Sequence, residues 1–306
     1  MSIGAPPGRF GTVVTAMVTP FTATGALDLD AAAALARYLT DHGSDGLVVA
    51  GTTGEGPVLD DDERLDLVRA VSEAVTVPVV AGTGTNDTRH SVTLTARAAE
   101  AGAAGVLVVT PYYNRPSQAG IAAHVRAVAA ATALPVLVYD IPVRTGRKIE
   151  HDTMLELAQT VPNVVGVKDA AGDAPGAARL VAEAPAAFEL YSGDDAMTLP
   201  LLAVGAVGVV SVAAHWVGEE LAAMIAAFGK GDTAGARAHN GAICDAVSFQ
   251  SRPDAPNPVP AKAMCRAMGL AVGQCRLPMG DAPAGLDDAA RQLVAALSAR
   301  RGAAGA

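Results

Sequence analysis

Short runs of β-branched and apolar residues recur along the whole first two thirds of the chain. They are Val13–Val18, Gly46–Ala50, Val77–Ala81, Gly105–Thr110, Pro135–Tyr139, Val164–Lys168, Phe188–Tyr191 and Val207–Val212. Runs of this length bounded by turn-formers read as strands buried on both faces. Between them lie Ala-, Leu-, Glu- and Arg-rich stretches of helical periodicity, such as Leu29–His42, Asp61–Val75 and Asp87–Ala101, with Gly43 and Gly102 placed as C-terminal caps. Strand and helix alternating at a repeat of roughly 20–30 residues imply successive right-handed βαβ units and a parallel sheet. Eight such units are the complement of an α/β fold of the TIM (β/α)8 barrel type. An open doubly wound sheet is the alternative, but no Gly-x-Gly-x-x-Gly follows the first strand, and Gly82-Thr-Gly84 reads as a tight turn.

Past residue 216 the strand signal stops. Trp216–Gly229, Asp232–Phe249, Pro258–Leu270 and Leu286–Ala299 read as helices, with a Pro-rich loop over Arg252–Pro260 and a frayed tail from Arg300. The chain is therefore expected to divide into a barrel, residues 1–215, and a C-terminal helical extension, residues 216–306.

Several function classes fall away on composition. The 306 residues are 51% hydrophobic and 17% charged, which describes a folded, well-buried protein. A net charge of −9 with no basic run argues against nucleic acid as a partner. Cys244, Cys265 and Cys275 are few, odd in number and scattered, which fits a reducing cytoplasmic setting and no zinc site. Met1 to Phe10 lacks the basic-then-apolar pattern of a signal peptide. Ala196–Val217 is long and apolar enough to suggest a membrane span, but Pro200, Gly205, Gly208 and the run Val209-Val-Ser-Val212 point to a buried helix entering a buried strand. The histidines show no metal-ligand spacing, and no Gly-x-Ser-x-Gly marks a serine hydrolase. No metal and no cofactor is expected.

Barrel enzymes carry their chemistry at the C-terminal ends of the strands. There the sixth run ends in Lys168, followed by Asp169 and a small Ala-Ala-Gly turn. A lysine held away from water loses solvation of its ammonium form, so its pKa falls and it becomes an amine nucleophile suited to a Schiff base. The plain alternative is a lysine that only reaches out to solvent at a strand end. Of the other lysines, Lys148 is in a loop, Lys230 in a Gly-Lys-Gly turn and Lys262 on a terminal helix.

Other strand ends bring further polar groups. Gly51-Thr-Thr-Gly-Glu-Gly56 offers Thr52 and Thr53 to a small carboxylate, or is a simple turn. Thr110-Pro-Tyr-Tyr-Asn-Arg-Pro116 contains two of the five tyrosines, Tyr112 and Tyr113, suited equally to an interface or to packing. Tyr139-Asp-Ile-Pro-Val-Arg144 offers a phenol and a planar guanidinium fork for a carboxylate. Ser192-Gly-Asp-Asp195 places Gly193 for close approach and two carboxylates that could cap the next helix. An amine, phenols, hydroxyls and a guanidinium thus meet on one rim.

With these motifs in this order, the chain resembles the pyruvate-dependent class I aldolase family, from Thr12-Val-Val-Thr-Ala-Met-Val-Thr-Pro-Phe21 to Asn257-Pro-Val-Pro-Ala-Lys262. The resemblance implies an imine between Lys168 and pyruvate, and a proton relay of Thr53, Tyr139 and Tyr113, the last reaching in from a neighbouring subunit. It implies that Thr52, Thr53, Gly193 and the backbone at Val210 hold the pyruvate portion, that Arg144 binds the carboxylate of aspartate semialdehyde, and that the assembly is a homotetramer built as a dimer of dimers. Thr52 and Arg144 favour that short carboxylated aldehyde, on the lysine and diaminopimelate route, over the sugar acids of sister lyases. A barrel that only binds a ligand is the third reading.

Some positions depart from the family pattern. Val143 stands where a serine is usual, removing a hydroxyl beside the substrate, and Asp140 replaces an asparagine there, adding a group that can carry a charge. At the place where lysine-inhibited relatives bind lysine, Asn86 and Tyr112 match. Gly56-Pro57, Asp61, Arg64 and His90 do not, the last standing where an acid is needed to pair the ligand's ammonium. Feedback by free lysine is expected to be weak or absent.

Overall fold

The computed structural model describes residues 8–304. Strands β1 (Val13–Ala16), β2 (Gly46–Val49), β3 (Val79–Gly82), β4 (Gly105–Val109), β5 (Val136–Asp140), β6 (Val164–Asp169), β7 (Glu189–Ser192) and β8 (Gly208–Ser211) close into a parallel barrel in sequence order. Each lies within two residues of a run expected from sequence. Val14, Val48, Val80, Leu107, Leu137 and Val210 fill the inside, while Leu47, Val49, Val79, Val106, Val108, Val138, Val167 and Val209 pack outward against helices. Burial on both faces is why the strands read as unbroken apolar runs instead of alternating ones.

The helices are α1 (Leu29–Asp41), α2 (Asp61–Ala74), α3 (Thr88–Ala98), α4 (Gln118–Ala129), α5 (Pro142–Thr145), α6 (His151–Thr160), α7 (Ala174–Glu183), α8 (Thr198–Ala203), α9 (Ala214–Gly229), α10 (Thr233–Ser248), α11 (Val259–Ala267) and α12 (Leu286–Ala304). Their starts follow from local chemistry: Asp28, Asp60, Asp87, Ser117, Asp173 and Asp232 each accept a hydrogen bond from a first-turn N–H. Gly43, at φ +98°, ends α1 as its position suggested. The apolar Ala196–Val217 segment is α8 running into β8 and the start of α9, and no described helix is long and apolar enough to cross a membrane.

The expected frayed tail is instead the end of α12, which continues to Ala304. Arg301 anchors it by pairing with Glu220 at 2.7 Å and donating to the Trp216 carbonyl at 2.8 Å. Helix α9 packs on β1 and α1, α10 lies on α9, and α11 packs against both α9 and α12.

One irregularity fixes what the barrel presents. Val136 pairs with Val164, but Leu137 pairs with Gly166, so Val165 is an extra residue in β6. From there Tyr139 faces Lys168 and Lys168 faces Tyr191 across the neighbouring strands. A shift of one residue moves every later side chain to the other face of a strand. Were Val165 paired in regular register with Leu137 instead of bulged, Val167 would point inward and Lys168 outward.

Gly166 makes the close approach of β6 to β7 possible, since a Cβ there would lie 2.3 Å from the Glu189 carbonyl oxygen. Gly166→Ala is expected to cost about 3 kcal/mol or more in urea unfolding, as overpacking against backbone does. Gly241→Ala, at a helical position with open space around it, should be neutral or stabilising by about 1 kcal/mol. Equal effects of the two substitutions would contradict the packing argument.

Candidate active site

A cavity of about 310 Å³ opens at the C-terminal rim of the barrel, with Lys168, Tyr139, Thr52, Thr53, Gly193 and Arg144 in its wall. Lys168 is only 4% exposed, and its Nζ lies 4.2 Å from the centre of the Tyr139 ring. Burial lowers the lysine pKa to about 8; the Asp195 carboxylate opposes the shift, and the Arg144 guanidinium adds to it. The same burial pushes the Tyr139 phenol well above its ordinary value, against the pull of Arg144 and a side-chain hydrogen bond to Thr52. An amine that is easily neutral thus lies against a phenol that firmly keeps its proton.

The remaining expected residues fall into place unequally. Thr53 is buried and its Oγ1 accepts a hydrogen bond from Asn257 Nδ2 at 3.0 Å. Arg144 sits on the one-turn α5 at the mouth and donates from Nη2 to the Asn257 carbonyl at 3.3 Å. At Gly193 a Cβ would stand 3.0 Å from Lys168 Cγ, so only glycine leaves the lysine stem its room. Val210 is buried inside the barrel below the rim. Tyr113 does not line this cavity: it is 90% exposed, at φ +72°. A second cavity, of about 180 Å³, shares Thr52, Tyr139, Ile141 and Arg144 with the first and is lined further out by Tyr112, Pro57 and Arg64.

The structure adds Asp195, Gln250 and Asn257 to the wall. Of the two carboxylates in Ser192-Gly-Asp-Asp195, Asp194 caps the next turn by accepting from the Ala196 N–H at 2.9 Å. Asp195 is turned inward and buried, accepting from Ser211 Oγ, from the Val212 and Ala213 N–H groups at 3.0 and 3.2 Å, and from Gln250 Nε2 at 2.7 Å. Its doubled acid was the only sequence signal, because the partners come from β8 and from beyond α10.

Asp140 requires a correction. The expectation put its charge beside the substrate, but the period of two along β5 sends it outward while Tyr139 points in. Its Oδ1 accepts the Ile149 N–H at 3.2 Å and its Oδ2 lies 3.6 Å from Lys148 Nζ. Burial raises its pKa to about 6, with Lys148 and the Ile149 bond opposing and the neighbouring Asp169 adding.

That value sets a sign. An aspartate titrates near 3.9 when unfolded, so the fold disfavours the ionised form, and its cost to stability grows as pH rises from about 4 to about 6. Asp140→Asn removes that cost. The variant's melting temperature relative to the parent should be higher at pH 7.5 than at pH 4; an equal difference at the two pH values would show the carboxylate to be no burden.

The sequence model of the Dihydrodipicolinate synthetase family matches residues 9–299. The 4-hydroxy-tetrahydrodipicolinate synthase of Acidothermus cellulolyticus is 53% identical over 93% of this chain and 91% of its own length. That of Moorella thermoacetica is 50% identical over 89% and 92%. Among solved structures, the synthase of Cyanidioschyzon merolae with lysine bound superposes with a TM-score of 0.91 at 42% identity, covering 95% of this chain and 99% of that one.

Proposed function

The chain belongs to the Dihydrodipicolinate synthetase family, and from that premise we propose that it condenses pyruvate with L-aspartate 4-semialdehyde to 4-hydroxy-tetrahydrodipicolinate, in lysine and diaminopimelate biosynthesis. It is a lyase of the class I aldolase type. The observation that carries the reading is the desolvated amine of Lys168 against the proton-holding Tyr139, in a cavity that also offers two threonines and a guanidinium.

In this reading the neutral Lys168 amine adds to the pyruvate carbonyl and water leaves, giving an iminium. The iminium withdraws electrons, so the pyruvate methyl group loses a proton and becomes a nucleophilic enamine carbon. That carbon attacks the aldehyde, whose oxygen takes up a proton. The substrate's own amine then adds to the imine carbon and expels Lys168, closing a six-membered ring and freeing the enzyme. No metal or cofactor enters these steps, because the iminium is the electron sink. Tyr139, Thr53 and Tyr113 pass the protons; Thr52, Thr53, Gly193 and the backbone at Val210 hold the pyruvate portion; Arg144 takes the aldehyde's carboxylate by its fork.

Because Tyr113 stands clear of its own cavity, its part in the relay falls to a neighbouring copy. We propose a homotetramer, a dimer of dimers, working in the cytoplasm on these two small molecules. The barrel through residue 215 carries the reacting groups, and the extension from 216 walls and braces them.

Three outcomes test the reading. Turnover of pyruvate with aspartate semialdehyde, followed through a coupled reductase, should be abolished in Lys168→Ala. Borohydride trapping of pyruvate should rise with pH to a plateau above about 8, where the amine is neutral. Arg144→Ala should trap pyruvate normally yet lose about 100-fold or more in kcat/KM for the aldehyde, the loss expected for a transition-state contact of about 3 kcal/mol. Trapping without turnover on this aldehyde would point to a sugar-acid substrate; no trapping would leave a binding barrel.

The lysine reading follows from three side chains. The Asp61 carboxylate is already engaged by His90 Nε2 at 2.7 Å. Arg64 is buried, giving its two terminal nitrogens to the Gly82 and Gly56 carbonyls at 2.7 and 2.6 Å. Free lysine should inhibit weakly or not at all in a steady-state assay, and half-inhibition at sub-millimolar lysine would refute that.

A further inference from the structure

Buried ionic contacts elsewhere in the molecule converge on the loop that carries Thr52 and Thr53. Glu55 ends the tight turn there: its N–H donates to the Thr52 carbonyl at 3.1 Å, and its backbone is left-handed at φ +55°. A non-glycine residue stays in that region only when its surroundings hold it there. The holding groups come from far along the chain. Glu55 Oε1 lies 2.6 Å from Lys262 Nζ on α11, and Glu55 Oε2 accepts the Arg276 N–H at 2.9 Å. Lys262 is completely buried, and its Nζ also donates to the Gln274 carbonyl at 2.9 Å and lies 4.2 Å above the Phe21 ring.

The same segment grips the loop a second time. Asn257, just before α11, donates to Thr53 Oγ1 at 3.0 Å. On the far side, Thr19 Oγ1 donates to the Gly54 carbonyl at 2.5 Å, and Arg276 Nη1 donates to the Val58 carbonyl at 2.9 Å. The turn is therefore tied on both sides of the two threonines. Replacing buried ion pairs by apolar residues often costs a fold nothing, so a pair kept at this depth is better understood as fixing a geometry.

We propose that Lys262 is a positioning residue: through its ion pair with Glu55 it sets the orientation of the Thr52 and Thr53 hydroxyls toward the pyruvate unit. This rests on the condensation chemistry proposed above. Lys262 touches no reacting atom. It differs from Lys168 in having a carboxylate partner and a carbonyl acceptor at its amine, which hold it in place.

The test separates position from stability. Lys262→Met strands the Glu55 carboxylate and should lower both melting temperature and activity. The double variant Glu55→Gln, Lys262→Met leaves neither charge unpaired, so its melting temperature should return toward that of the parent. Its activity should not: KM for pyruvate is expected to rise about 10-fold and kcat to fall about 10-fold, with KM for the aldehyde within about 2-fold of the parent. Borohydride should still trap pyruvate on Lys168 in that variant. Both variants are assayed below their melting transitions, with native circular dichroism as the criterion. Parental kcat and pyruvate KM in either natively folded variant would overturn the inference. Failure of the unsubstituted protein to trap pyruvate would instead overturn the condensation reading itself.

Discussion

The single extra residue in β6 is the constraint from which the active site follows. Val165 interrupts the pairing with β5, and every residue after it is displaced by one position relative to its partner. The displacement turns Lys168 into the barrel, opposite Tyr139 on one side and Tyr191 on the other. Burial there makes the ammonium expensive and lowers its pKa toward neutrality. Nothing else at the rim would matter without this turn of register, because a lysine on the outer face would be neither desolvated by the barrel interior nor near the threonines.

Alternation along the strands then separates two charge systems that are adjacent in sequence. Tyr139 and Lys168 point in, while Asp140 and Asp169 point out and are paired with each other by strand register. Lys148 Nζ lies 3.6 Å from Asp140 and 3.8 Å from Asp173, the N-cap of α7, with Asp169 lining the same outer pocket. Of the two acids in the cavity wall, Asp194 caps the next turn, and the oxygens of Asp195 are taken up by four donors. A carboxylate so engaged supports a nearby cation by its field without forming an ion pair that would quench a nucleophile.

Much of this was legible in the chain, for physical reasons particular to the fold. Strands buried on both faces leave continuous apolar runs, which is why all eight could be placed, and their C-terminal ends fall at the residues that line the cavity. Lys168, Tyr139, Thr52, Thr53, Arg144 and Gly193 were readable because each ends such a run or lies within five residues after one. Asp140 was misplaced because its family counterpart suggested a neighbour of the substrate, while the strand's period of two assigns it to the outer face. Asn257, Gln250 and Lys262 were not readable as part of the site. They reach it through contacts with residues some 55 to 207 positions away (Asp195, Thr53 and Glu55), and on the chain Lys262 looks like an ordinary helix lysine. The helix through Ala304 was likewise hidden, since Arg301 gains its hold only from α9.

The loop bearing Tyr113 shows the same logic directed outward. Tyr113 and Arg115 both take left-handed backbone angles, at φ +72° and +47°, which non-glycine residues adopt only under restraint. The restraint is visible: Asn114 Nδ2 donates to the Asn86 carbonyl at 3.0 Å, Arg115 Nε to the Gly146 carbonyl at 2.9 Å, and Arg147 returns a bond to the Arg115 carbonyl at 3.3 Å. A loop fastened at three points does not hold a phenol in solvent by accident of flexibility. The ordering that insertion into another surface would demand has already been met in the folded chain, so little conformational entropy remains to be lost when the ring finds a cavity. The second cavity, lined by Tyr112 from this loop and by Tyr139 from the barrel, is a concave surface of suitable kind on every copy. Preorganisation of this sort supports the proposed relay between subunits over one in which the loop folds back onto its own barrel.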